Sequence, residues 1–453
     1  MHRISQLAAV GAVITLALAA CSNGASLSQG KSGSDKDSKK ITYRLWDAGQ
    51  QATYQKCAVE FEKESGIKVN IEQQGWDDYW KNLTTDLVSG TAPDVITNHV
   101  QYYPELAGKG QLLDLNQYIK DNDIDFSAYT GELANLWVKD EKRYGIPQDW
   151  DTIALVYNTK LIEEAGFSAQ DLNKLTWNPQ DGGTFGKLIA HLTIDKNGVR
   201  GDEAGFDKNN VKVYGWGLEK GGGIVGQGQW SWFALSNGFD YLDKNPFGTT
   251  YKMDDPKLAE AMTWWQKQIE SGYVTPLEIA GSLGLEPMME QGKAALVPDG
   301  SWRINMWSSS DKNSFAFAPL PEGPQGRKTI INGLAPSITK QAKNPENAWQ
   351  WVKYLTSDKC QSIVAEDAIV FPSLKEYSEK AAQAHHNAGR DVSAFTEITK
   401  DSSNLAYYPI TDNGNEIATE GQVTFDEIEQ LSVKPDEALA RLNDKVNAIL
   451  NKK

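Results

Sequence analysis

The 453-residue chain is short of cysteine, histidine and positive charge. Three cysteines are too few for a disulfide scaffold. Beyond the N-terminal segment the histidines are His99, His191, His385 and His386, and none sits in an H-E-x-x-H pattern. No C-x-x-C or G-x-S-x-G occurs either, so the usual zinc-peptidase, dithiol and serine-hydrolase signatures are missing. Lys and Arg number 45 against 60 Asp and Glu, a net charge of −15. That balance argues against nucleic acid as a partner, because displacing counterions from phosphates needs a basic face. Past the first twenty residues no apolar run approaches the length of a membrane span. What the chain has in quantity is aromatic: 15 Trp, 17 Tyr and 13 Phe, in an otherwise ordinary soluble composition of 40% hydrophobic and 23% charged residues.

The N-terminus reads as an address, not as fold. His2 and Arg3 precede an apolar run from Leu7 to Ala20, which ends in Leu18-Ala19-Ala20-Cys21. Residues 1–20 are expected to be a signal peptide, and the box before Cys21 is similar to the bacterial lipoprotein cleavage site. Cys21 is then the lipidated first residue of the mature protein, anchored to a membrane by acyl chains such as palmitate. Residues 21–40, rich in Ser, Gly, Lys and Asp, are expected to be a flexible tether.

From Ile41 the periodicity alternates. Ile41–Trp46 suggests a strand; Tyr54, Cys57, Ala58 and Phe61 share a helix face up to Gly66. Ile67, Val69 and Ile71 alternate as a strand, Trp76, Tyr79, Trp80, Leu83 and Leu87 follow a helical stripe, and Pro93-Asp94-Val95-Ile96 opens a third strand. This β-α-β-α-β order implies parallel strands with right-handed crossovers. Ligands of such sheets bind beyond the carboxyl ends of the strands, here Trp46-Asp47 and Asn98-His99. At Asp149 the texture changes. Ile153–Tyr157 is a strand candidate, Leu161–Ala165 a short helix, and Asn178–Gly228 reads as loops and hairpins. Later helices are expected around Leu258–Ile269, after Asn344-Pro345 and after Pro435, with a short strand at Ala294–Val297.

Most short motifs carry little chemistry. Gly221, Gly223 and Gly226 match G-x-G-x-x-G but lie in a Gly/Gln loop, not between strand and helix. Asp195-Lys196-Asn197-Gly198 opens like a calcium loop, yet Phe206 stands where the bidentate Glu belongs, so a turn is expected. His385-His386 reads as a solvated helix face and no metal or cofactor site is expected. The tryptophans say more. Trp80, Trp265 and Trp351 fit helix cores, whereas Trp46, Trp150, Trp230, Trp232 and Trp302 sit at strand ends or in loops beside Asp47, Asp149, Asp151, Ser231, Asp299 and Ser301. A flat ring for the C–H face of a sugar and fixed carboxylates for its hydroxyls is the chemistry of carbohydrate binding. A pair of carboxylates is also all that glycoside hydrolysis requires, and the sequence leaves that reading open.

Several segments resemble one family. They are Phe61-Glu62-Lys63-Glu64-Ser65-Gly66-Ile67-Lys68-Val69, Gly90-Thr91-Ala92-Pro93-Asp94-Val95, Tyr144-Gly145-Ile146-Pro147, Ala154-Leu155-Val156-Tyr157-Asn158, Asp299-Gly300-Ser301-Trp302 and Asn344-Pro345-Glu346-Asn347-Ala348-Trp349. In this order they resemble the extracellular solute-binding proteins of ABC sugar importers, the maltose-binding-like group (family 1), over nearly all of 41–453. The resemblance implies an α/β, two-lobed periplasmic-binding-protein-like fold with the ligand cleft between lobes. Lobe one would hold 41–150 plus 329–372, and lobe two 151–328 plus 373–453. It implies a monomeric, non-catalytic receptor that closes on an oligosaccharide and presents it to the permease subunits of the importer. The alternatives are a secreted glycoside hydrolase and a receptor of this fold for a non-sugar solute. Trp302 matches the family's stacking tryptophan, Trp46, Asp47, Asn98 and His99 match pocket edges, and Asn332-Gly333 lies where the chain crosses between lobes. Asp149, Trp150, Trp230, Trp232, Asp299 and Ser301 complete the expected site, and the stretch 178–214 is expected to border it. The resemblance also returns Cys360 to the lobe that carries Cys57. A Cys57–Cys360 disulfide is the expectation, with two separate buried thiols as the alternative.

Overall fold

The computed structural model describes residues 39–310 and 314–452. The expected signal peptide, Cys21 and all of the tether except Lys39 and Lys40 lie outside the described residues. Lys40, assigned above to the tether, already begins the first strand.

The first sheet is the one the pattern implied. Strand β1 (Lys40–Leu45) is followed by helix α1 (Ala48–Ser65), strand β2 (Lys68–Gln73), helix α2 (Trp76–Ser89) and strand β3 (Val95–Asn98). Both β2 and β3 pair parallel with β1, Ile41 opposite Val69 and Tyr43 opposite Val95. Strand alternation sends Ile41, Tyr43 and Leu45 into the core that contains Tyr54, Cys57 and Phe61 of α1. Arg44, on the other face, pairs with Glu72 and with Asp86 of α2. Two helices thus cover two faces, as parallel sheets require. Asp47 caps α1 by accepting from the backbone N–H of Gly49 and Gly66 ends it in the left-handed region at φ 69°.

The fourth strand of this sheet, Ala335–Ile338, arrives some 240 residues later and runs antiparallel to β3, Ala335 opposite Asn98. Helix Pro345–Leu355 follows, capped by Asn344, and buries Ala348, Trp351, Val352 and Leu355 as expected. The next helix, Asp358–Asp367, carries Cys360 onto α1, where a disulfide joins it to Cys57 with the Cα atoms 5.3 Å apart. The expected bridge is therefore present. In the chain-entropy picture a loop of this length contributes up to about 5 kcal/mol.

The second sheet has five strands in the order Phe315–Ala318, Ile153–Asn158, Ala294–Gly300, Val211–Trp216, Ile194–Asp195. Ile153–Asn158 is buried throughout, which is why it reads as a continuous apolar run. The strand at Ala294 continues three residues further than expected, to Gly300. Segment 178–228, expected to be loops and hairpins, contains the helix Gly183–Leu192, whose Phe185, Leu188, Ile189 and Leu192 are buried. The Gly182-Gly183 and Gly186 positions weakened the helical signal there. Each packs against a neighbour too closely for a side chain, for instance Gly183, where a Cβ would stand 2.5 Å from the Thr176 carbonyl oxygen. The Asn197-Gly198 turn forms as expected, with the Asp195 carboxylate accepting from the N–H groups of Asn197, Val199 and Asp207. His385 and His386 lie on one helix, but only His386 is exposed; His385 turns inward to meet the Phe371 ring at 5.9 Å.

Between the sheets the chain passes back and forth. Asp149–Trp150 pairs antiparallel with Phe371–Pro372. Asp151 and Asn332 exchange backbone hydrogen bonds of 2.9 and 3.2 Å, and Gln148 N–H donates to the Leu334 carbonyl. These strand-like passes form the floor on which the site is built.

Candidate functional site

Three groups of elements converge above that floor: the ends of β1, β2 and β3, the end of strand Ala294–Gly300, and the loop 217–230. At the end of β1, Trp46 is half-buried and meets Trp76 edge-on at 5.0 Å and Tyr79 at 5.1 Å. Trp76 is 40% exposed, a high value for so large a ring. It leads to His99 (5.6 Å) and Tyr102 (6.0 Å), and Trp80 stacks on Tyr102 at 3.7 Å. Tyr408 closes the row, perpendicular to His99 at 5.0 Å, with its hydroxyl 2.6 Å from Gln101 Oε1. The result is a continuous aromatic wall in which Trp46 and Trp76 reach solvent.

Asn98 and His99 support this wall from behind. Asn98 is buried; its Nδ2 donates to Ser337 Oγ and its Oδ1 accepts the His99 N–H. His99 Nδ1 accepts from the Gln101 N–H, and its Nε2 lies 2.9 Å from the Asn332 carboxamide. Burial pushes the imidazole down to about 3, so the ring is neutral. Gly333 beside it is obligatory for packing, since a Cβ there would approach the Asp149 carbonyl oxygen to 2.7 Å.

On the floor, Asp149 is buried. Its Oδ1 accepts the Leu334 N–H at 2.9 Å, and among the described residues its Oδ2 has no partner within hydrogen-bond distance, although the Gln148 side chain is near enough to favour the charged form. Burial pushes this carboxyl up to about 7. Asp151 is half-buried, accepts from Gln227 Nε2 at 2.6 Å, and is pushed up to about 8 by burial and by the charge of Asp149. Trp150, between them, points the other way, as strand alternation demands. It is buried, stacks on Phe371 at 4.7 Å and donates to Ser378 Oγ. It belongs to the core, not to the site.

Trp302 stands just past the end of strand Ala294–Gly300. It is half-buried, and its ring packs directly against Gly300: a Cβ on Gly300 would come within 1.9 Å of Trp302 Cζ3. Asp299 does not face the cleft. It is buried, accepting from the Gly300 N–H and from Trp307 Nε1 at 2.7 Å, with Arg303 Nη1 at 3.4 Å. Arg303 turns its other end to Glu219, 2.7 Å away. Ser301 is likewise structural, its N–H bonded to the Thr152 carbonyl on the crossing strand. The turn that carries Trp302 is therefore tied to the floor through Ser301 and to loop 217–230 through Arg303.

Trp230 and Trp232 are core residues, against expectation. Trp230 is fully buried, stacks on Phe425 at 4.6 Å and donates to the Gly223 carbonyl. The G-x-G-x-x-G loop wraps this indole; a Cβ on Gly226 would come within 2.3 Å of the ring. Trp232 is buried among Trp177, Phe185, Trp216 and Phe233. The hairpin part of 178–214 is also remote. Tyr214 lies opposite Ala294, six residues before Gly300 on the neighbouring strand, so about 20 Å separates it from the cleft end. Loop 217–230, with Glu219 and Gln227, occupies the place expected of it. Sequence reasoning missed Tyr102, Tyr408, Glu219, Gln227 and Arg303, placed Trp76 on a helical stripe although it is exposed, and assigned Trp80 to the core although it is half-buried. For Trp76 a signal existed: it follows Gln73-Gln74-Gly75 at the carboxyl end of β2, the same kind of strand end that singled out Trp46.

Residues 56–389 match the family model described as bacterial extracellular solute-binding protein. The chain belongs to that family. It is 24% identical over 402 residues to the galactooligosaccharide-binding protein of Bacillus subtilis, covering 87% of this chain and 86% of that one. It is 26% identical over 377 residues to a maltooligosaccharide ABC transporter solute-binding lipoprotein of Streptococcus pneumoniae, covering 81% and 80%. Among solved structures, an ABC substrate-binding protein of Listeria monocytogenes in complex with cycloalternan superposes with a TM-score of 0.77 at 20% identity, over 91% of this chain and 99% of that one. The two sheets joined by crossing strands are thus the two-lobed α/β fold that the sequence resemblance implied. No helix among the described residues is long and apolar enough to cross a membrane.

Proposed function

We propose that this solute-binding protein is a carbohydrate receptor that closes on an oligosaccharide and delivers it to the permease subunits of an ABC importer. The observation that carries the reading is the Trp302 platform. Its ring packs against Gly300, and in this reading the half-buried side chain faces the half-buried Trp46 and the exposed Trp76 across the cleft. Pyranose rings present C–H faces to such indoles and hydroxyls to Asp47 and Asp151. Closure would follow because the sugar touches both sides of the cleft only in the closed state. In this reading lobe one comprises 41–150 plus 329–372 and lobe two 151–328 plus 373–453. The mature protein is a monomer held outside the cytoplasm by a lipid on Cys21, and it performs no catalysis and needs no cofactor. The oligosaccharide-binding relatives support the ligand class.

The test is calorimetry and thermal shift against a panel of neutral oligosaccharides, with the products analysed after prolonged incubation. A ligand at 100 times its dissociation constant raises stability by about 2.7 kcal/mol. Binding with the sugar recovered intact is the expected result. Cleavage would make the protein a glycoside hydrolase, and a silent panel would point to a non-sugar solute.

A further inference from the structure

The glycines of loop 217–230 answer to the fold, with one exception. Gly221, Gly223 and Gly226 have φ of 108°, 49° and 58°, where a side chain is strained, and at Gly217 and Gly222 a Cβ would stand 3.0 Å from Met288 and 1.8 Å from Gln229. Gly228 is under neither constraint. Its φ lies outside the left-handed region, and a Cβ would meet Glu219 Oε2 at 3.5 Å and the Pro298 carbonyl oxygen at 3.9 Å, ordinary contact distances. An alanine would fit there and would leave the unfolded chain fewer conformations, so the glycine costs stability that the fold does not require. Its place is the edge of the site. Gln227, just before it, donates to Asp151 on the floor, and Pro298, beside it, belongs to the strand that ends at the Trp302 turn. Gly228 is half-buried, and among the described residues neither its N–H nor its carbonyl has a hydrogen-bond partner. The neighbouring Glu219 gives Oε1 to Arg303 and leaves Oε2 without a donor.

Resting on the receptor reading above, we infer that Gly228 is a specificity-determining residue of the cleft: its bare backbone is a contact face for one pyranose unit, which takes the volume a side chain would fill. A hydroxyl both donates and accepts, so one hydroxyl of that unit accepts from the Gly228 N–H and another donates to the Gly228 carbonyl. Ring and backbone reach hydrogen-bond distance only where no Cβ stands between them. Closure strips water from this peptide, and each of its polar groups must then find its partner on the sugar or remain unpaired at a cost. The position therefore selects a unit with free hydroxyls along the edge that faces the loop, and it does so with main-chain atoms that no side-chain substitution elsewhere can supply.

The experiment is calorimetry on the mature wild-type protein, Gly228→Ala and Gly228→Val. The probes are two series of neutral oligosaccharides, α-1,4-linked glucose and β-1,4-linked galactose, each from the dimer to the hexamer. Without sugar, Gly228→Ala is expected to melt at or above the wild-type temperature. For the oligomer that the wild type binds most tightly, affinity should fall about tenfold in Gly228→Ala and about a hundredfold in Gly228→Val, as one and then both backbone hydrogen bonds are lost. Wild-type affinity in the two variants overturns the inference and leaves the receptor reading standing. Weaker binding by Gly228→Ala together with a lower melting temperature also overturns it, because the glycine would then serve the fold. If Gly228→Val does not fold, Gly228→Ala decides alone. Silence of both series toward the wild-type protein fails the inference and the receptor reading together.

Discussion

Replacing Gly300 by alanine isolates the role of Trp302 without touching the tryptophan. Gly300 has φ −90° and ψ 154°, ordinary extended backbone, so alanine meets no conformational penalty there. The nearest obstacle is the indole. The added methyl would lie 1.9, 2.1 and 2.2 Å from Cζ3, Cη2 and Cε3 of Trp302, where carbon atoms settle at about 3.5–4.0 Å. The ring must withdraw by roughly 1.5–2 Å, comparable to a bond length. Trp302 is half-buried, so it has solvent to swing into, at a cost of about 0.5–1.5 kcal/mol for a distorted rotamer. Folding should therefore lose about 1 kcal/mol, whereas a displaced platform forfeits its stacking on the sugar. We expect binding to weaken by about 1.5–3 kcal/mol, about 10- to 150-fold in the dissociation constant. Calorimetry with the best ligand of the panel measures the affinity, and urea denaturation measures stability. Trp302→Ala should weaken binding to a similar extent, and the double variant should be no worse than either single one, since both remove the same contact. Wild-type affinity in Gly300→Ala, or a double variant that loses the sum of the two, would refute the stacking geometry.

Other outcomes can be checked independently. Cys57→Ser with Cys360→Ser should lower the stability of the folded protein, by up to about 5 kcal/mol in urea denaturation, while leaving sugar affinity within a factor of a few. Cys21→Ala should release the protein from the membrane fraction, seen by blotting cells that lack the permease; retention would count against the anchor. Asp149 and Asp151 have folded-state values raised to about 7 and about 8, so the folded protein holds protons that the unfolded chain has already lost above about pH 4. Stability without ligand should thus fall as pH rises from about 5 to about 8 and then level off, and Asp151→Asn should flatten the upper part of that curve in thermal melts. A ligand-free curve that rises through this window would show that the two carboxyls are ordinary.

The helices and strands of the first sheet were legible because their signals are local. Tyr54, Cys57, Ala58 and Phe61 share a stripe, Gly66 ends it, and the alternation from Ile67 resumes at once. The strand ends at Trp46 and His99 followed from the same order, and so did one edge of the site. The choice among tryptophans was not legible. Trp150, Trp230, Trp232 and Trp302 all stand among small or polar neighbours in the chain, and what separates them is distant: Phe371 and Ser378 cover Trp150, and Phe425 covers Trp230. For residues 149–151 the sequence specified alternation, but pairing with Phe371–Pro372 and with Asn332 decided which side became floor and which became core. Loop 217–230 displaced the stretch 178–214 from the cleft because the strand between them runs toward the site, a direction set by its parallel pairing with Ala294–Gly300. Local stereochemistry writes caps, periods and turns into neighbouring residues. Whether a ring ends up buried or bare depends on which remote segment packs over it, and that is settled only when the two sheets and the strands crossing between them assemble.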